Sequence, residues 1–91
     1  MKKEHTLKLD KSVCQDVYTG IKSFEVRMND RNYEVGDIIR FQPVDRNNKS
    51  YSHPVENNVY EITYILDPKT NRNNYFVGLE DGWVVIGIKE I

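Results

Sequence analysis

The chain alternates short runs of apolar and polar residues. Residues 5–9, His-Thr-Leu-Lys-Leu, put Leu7 and Leu9 on one side and Thr6 and Lys8 on the other. That two-residue period predicts a half-buried strand. The period then lengthens. Val13, Val17 and Ile21 recur every four residues, with Cys14 and Tyr18 beside them, which is the stripe of an amphipathic helix. Asp10 precedes the stripe as an N-cap, and Gly20 follows it as a left-handed C-cap. The spacing predicts a helix over residues 11–19.

The next alternation runs through 23–28. Burying Phe24, Val26 and Met28 would put Ser23, Glu25, Arg27 and Asn29 on the opposite face. Lys22 would then fall on the Phe24 side, unless the irregularity at Gly20 brings it round to Glu25 and Arg27. Residues 29–32, Asn-Asp-Arg-Asn, have turn chemistry, and Val35-Gly36-Asp37 makes a second turn. Ile38, Ile39 and Phe41 predict a third strand, ended by Pro43. Residues 42–58 are polar and read as a long loop, of the kind that often serves as a lid or binding excursion. Residues 59–66, apolar on both faces, predict a central strand. A polar turn over 67–74 leads to strands at 75–79 and 83–88, separated by Glu80-Asp81-Gly82.

These elements make one α+β domain over residues 1–91, with five or six short, mostly antiparallel strands and one early helix. Closure into a small β-barrel would remove its exposed strand edges. Composition narrows the partners. The chain has 13 basic and 14 acidic residues and a net charge of −1, which argues against a blanket duplex-DNA binder. It leaves room for a local basic groove. One cysteine, Cys14, excludes an intrachain disulfide and points to a reducing, cytoplasmic setting. Met-Lys-Lys followed by Glu4, His5 and Thr6 predicts neither a secretory signal nor a membrane span. Two histidines and one cysteine give no metal-ligand spacing, so neither metal nor cofactor is expected. The expected state is a monomer or weak dimer.

The candidate chemistry gathers at Gly20-Ile21-Lys22-Ser23-Phe24-Glu25-Val26-Arg27. Glu25 and Arg27 on a solvated strand face would form an ion pair of little consequence. Their neighbours argue for more. Asn29, Asp30 and Arg31 follow directly, and His5 and Lys8 lie on the expected neighbouring strand. Lysine and arginine donate to phosphate or polarised carbonyl oxygens, and a glutamate can accept from a base edge or activate water. Tyr51 and Trp83 offer aromatic faces for stacking, although rim packing is the commoner role for Trp83. His53, in the long loop, reads as solvated, and Cys14 as a small core residue.

Gly20-x-Lys22-x-x-Glu25-x-Arg27 resembles the signature of the ASCH domain, a branch of the PUA-like superfamily of small β-barrels. The wider order strengthens the likeness: His5-x-Leu7-Lys8, then Asn29-Asp30-Arg31, Val35-Gly36-Asp37, Tyr64-Ile65-Leu66 and Gly82-x-Val84-Val85-x-Gly87-Ile88. It is similar to a bacterial and phage family of unknown function within that superfamily. The resemblance implies a barrel whose cleft, between helix and sheet, binds RNA or a nucleotide-like ligand through His5, Lys8, Lys22, Glu25, Arg27, Asn29, Asp30 and Arg31.

Some small relatives deacylate N-acetylated cytidine with a lysine and a threonine of this motif and a later glutamate. Lys22 matches the lysine, but Glu25 stands at the threonine position and cannot act as a hydroxyl nucleophile. Its charge also favours the ammonium form of Lys22. Glu61 is the nearest counterpart of the later glutamate, and a charge at a sheet edge is its simpler role. A hydrolase would instead use Glu25 as general base, with Lys22 stabilising the oxyanion. Its substrate would be an acylated nucleoside or RNA, since metal-independent nuclease activity is attributed to some relatives. A protein-interaction module is the third reading.

Overall fold

In the computed structural model, residues 2–69 and 78–91 are described. The chain runs β1 (Glu4–Asp10), α1 (Lys11–Thr19), β2 (Phe24–Met28), β3 (Ile38–Val44), a 3-10 turn (Pro54–Asn57), β4 (Tyr60–Leu66) and β5 (Trp83–Glu90). The strands form one five-stranded sheet in the order β1-β3-β4-β5-β2. β1 and β3 are parallel, and the other neighbours are antiparallel. The expected strand at 75–79 falls largely on residues outside those described.

Local signals set α1. The Asp10 carboxylate accepts from the Ser12 N–H at 3.0 Å, and Gly20 closes the helix at φ 84° with its N–H on the Val17 carbonyl. Cys14 and Val17 face inward and are fully buried. They meet Leu7 and Leu9 of β1, Ile39 and Phe41 of β3, Tyr60 and Ile62 of β4, and Val84, Ile86 and Ile88 of β5 in one core. β4 lies between β3 and β5, as its two-sided apolar pattern predicts.

Two sequence expectations give way. β3 continues through Pro43 to Val44. It pairs with β4 only at Ile38 and Ile39, so near Pro43 it faces no β4 ladder that would need the missing N–H. Residues 42–58 are also not a structureless loop. Val44 bridges Ser50, a turn closes from Asp45 to Lys49, and the 3-10 turn buries Val55 completely. His53 is half-buried and tethered at both ring nitrogens. Its Nδ1 accepts from the Val55 N–H, and Nε2–H donates to Gln15 Oε1 at 3.0 Å, which fastens the excursion to α1.

The sheet is not closed into a barrel. β1 and β2 are its two edges and share no main-chain ladder. The register of β4 against β5 shifts between Ile62 and Tyr64, and such irregularities bend a sheet. Arginine side chains of the β2 region span the gap between the edges. Arg27 donates through Nη2 to the Lys8 carbonyl, and Arg31 through Nη1 to the Thr6 carbonyl at 3.1 Å.

Candidate functional site

The gap between β1 and β2 is a cleft of about 580 Å3. Leu7, Leu9, Val13, Val26, Met28, Tyr33 and Trp83 supply apolar lining, and Lys8, Asp10, Lys22, Glu25, Arg27, Asp30 and Arg31 the charge.

β2 places its side chains opposite to the expectation. Glu25 pairs across the sheet with Ile86, and Arg27 with Val84, and both partners are buried. Paired residues share a face, so Glu25 points inward and is 5 % exposed. Phe24, Val26 and Met28 point outward, at 44, 46 and 52 % exposure. The hydrophobic alternation misleads here because β2 is an edge strand. Its inner positions face the cleft, where charge is needed, and not the apolar core.

The buried carboxylate of Glu25 is held from both sides. Lys22 Nζ donates to Oε1 at 2.5 Å and to the Phe24 carbonyl at 2.8 Å. Arg27 Nε and Nη2 lie 3.1 and 3.0 Å from Oε2. The break in regular structure after Gly20 lets Lys22 reach the Glu25 side, while its ammonium also sits 4.9 Å from the centroid of the Phe24 ring. Two cations satisfy one buried anion, as a buried charge requires. The pair also leaves donors for a ligand. Arg27 Nη1 and the Nε and Nη2 of Arg31 carry no hydrogen bond among the described residues, and Lys8 forms no ion pair there.

The remaining site candidates divide. Lys8, Asp30 and Arg31 line the cleft. Asn29 does not. It organises the turn after β2, its Oδ1 accepting from the Tyr33 N–H and its own N–H donating to the Gly82 carbonyl. His5 is also absent from the cleft lining. It is buried, and its Nε2–H donates to Asp37 Oδ2 at 2.8 Å. Its ring meets Tyr33 edge-on at 4.8 Å, so it supports the cleft wall from behind. Glu61 lies on β4 opposite Ile38 and Lys89, away from the cleft.

Asp37 is a partner that the sequence reading missed. Its Oδ1 accepts from the Lys3 N–H, and its Oδ2 from the Glu34 N–H and from His5. Burial pushes this carboxyl up, but those hydrogen bonds and the charge of Lys3 outweigh it and hold the group below the usual carboxylate range. Only its position in a Gly-Asp turn marked Asp37 in the sequence, and that signal indicates a turn and not a buried anion. Among the described residues no cluster of His, Cys, Asp and Glu is placed to hold a metal. No helix there is long and apolar enough to cross a membrane.

Residues 4–88 match the family described as a domain of unknown function, DUF3850. No curated protein matches the chain. Among solved structures, the crystal structure of hypothetical protein PH0355 is similar, with a TM-score of 0.59 at 18 % identity, over 97 % of this chain and 99 % of that one. At that identity the likeness shows the fold alone.

Proposed function

The chain belongs to that family of unknown function, and we propose that it binds RNA or a nucleotide-like ligand in the cleft between β1 and β2. The observation that carries this reading is the Lys22–Glu25–Arg27 arrangement. Glu25 fixes two cations at the cleft wall, and Arg27 and Arg31 keep further guanidinium donors there. Fixed guanidinium groups suit phosphate oxygens. The accessible apolar side chains at the cleft rim, Val26, Met28 and the half-buried Trp83, offer surface for the face of a base. The ASCH-like motif, and the PUA-like relationship it implies, agree with this reading.

The same geometry disfavours hydrolysis by Glu25. Both carboxylate oxygens are engaged by cations, so neither is open to orient an attacking water. Calorimetric titration at low salt with nucleosides, nucleoside monophosphates and short single-stranded RNAs tests the proposal. Binding is expected, and Arg27→Ala should weaken it by about tenfold or more, as removal of a charged hydrogen-bond donor does. A panel without heat from any ligand would sink the reading.

A second reading, contact with another protein, is favoured by one observation. The outward face of β2 presents Phe24, Val26 and Met28, and Tyr64 of β4 is also exposed. A weak dimer through this face would appear in sedimentation as concentration-dependent mass, which Val26→Lys should abolish.

A further inference from the structure

A second hollow opens at the start of α1. It encloses about 400 Å3 and is lined by Asp10, Lys11, Ser12, Arg46 and Tyr51. Lys11 and Arg46 form no ion pair among the described residues. The Lys11 ammonium lies 5.0 Å from the centroid of the Tyr51 ring. The aromatic face therefore positions this cation without cancelling its charge. Arg46 stands on a turn whose backbone is locked by Asp45, which accepts through Oδ1 from the N–H groups of Asn47 and Lys49. The hollow holds one carboxylate, Asp10, whose Oδ2 accepts from the N–H and the hydroxyl of Ser12 and whose charge Arg46 also feels, so two cations face one anion.

Asp10 also lines the cleft between β1 and β2, so the two hollows flank this residue. Among the described residues they are lined by six basic side chains but only three acidic ones. The other described residues carry six basic against eleven acidic. A nearly neutral protein thus concentrates its positive charge along one track. A single anionic group would engage one hollow. Filling both takes a ligand that repeats its negative charge at short intervals. The apolar lining of the first hollow further calls for a planar group between those charges.

Resting on the cleft reading above, we propose that the ligand is a single-stranded nucleic acid of at least two linked nucleotides. One nucleotide occupies the cleft at Lys22, Glu25 and Arg27, and a neighbouring phosphate lies between Lys11 and Arg46. A single strand is specified because a base must leave its stack to enter a cleft between two strand edges.

The test compares nucleoside monophosphates with RNA and DNA oligonucleotides from dinucleotide to octamer, by fluorescence anisotropy and calorimetry over a range of salt. The oligonucleotides should bind about tenfold more tightly than the mononucleotides. The double variant Lys11→Ala/Arg46→Ala should remove that gain and leave mononucleotide affinity unchanged. It should also reduce the salt slope by about 0.7, the contribution of one phosphate neutralised on a single strand. Both side chains are exposed, and a thermal melt checks that the variant is folded. If oligonucleotides bind no better than mononucleotides, or the double variant keeps both the gain and the slope, the second subsite is overturned while the cleft reading stands. If neither ligand class binds, the cleft reading falls and the subsite with it.

Discussion

Two buried carboxylates in this small domain have opposite surroundings. Asp37 takes two of its donors from the backbone, at Lys3 and Glu34, and the third from His5, itself buried. Glu25 takes its side-chain partners from Lys22 and Arg27, whose side chains remain 22 and 26 % exposed. Backbone donors cannot leave without unfolding their segment. Long side chains at a cleft can exchange one oxygen for another. The contrast assigns Asp37 to the fold and Glu25 to the site, although both carboxylates are buried, at 1 and 5 % exposure.

The largest expected effect comes from Asp37→Ala. It orphans two backbone N–H groups and the His5 ring, and should cost about 3–5 kcal/mol in urea denaturation. Any ligand bound by the remaining folded protein should keep its affinity. Glu25→Gln should reverse that balance. Its partners are partly solvated, so the stability loss should be only about 1–2 kcal/mol. Ligand affinity should fall by about tenfold, because Lys22 and Arg27 lose the group that aims them. Equal losses of stability and affinity in both variants would erase the distinction.

Acid separates the two sites further. Asp37 has a depressed carboxyl in the folded state, so its contribution is complete above the unfolded carboxylate value, near pH 4. It is lost as pH falls through the lower folded value. Stability measured by denaturant titration should drop below about pH 4, and Asp37→Asn should flatten that drop. The smallest effect is expected at Phe24→Ser, within about 0.5 kcal/mol, as for an exposed surface substitution. A thermal shift of many degrees there would mean that the outward face is covered.

The sequence revealed what depends on neighbours in the chain. α1 was legible to the residue because Asp10 and Gly20 cap it locally. β4 was legible as central because its apolar pattern has two faces. The orientation of β2 was not, because hydrophobicity assigns Val26 inward, and only the register with Val84 and Ile86 assigns Glu25 there. The proximity of Glu25 and Arg27 was legible from spacing, and that of Lys22 only through the break after Gly20. The loss of His5 to Asp37 depends on a contact across 32 residues, for which the sequence carries no local mark. Lys11 and Arg46 were not singled out, because they join one hollow only after the 45–49 turn folds back beside α1.

The arginine spans from Arg27 and Arg31 to β1 have a consequence for association between molecules. They occupy the Lys8 and Thr6 carbonyls on an edge that no strand among the described residues covers. Unpaired strand edges recruit strands from other molecules. These guanidinium groups therefore act as gatekeepers against self-templated sheet growth, and their charge also repels a second copy approaching the same edge. A chain lacking both arginines would keep its core and gain an adhesive margin.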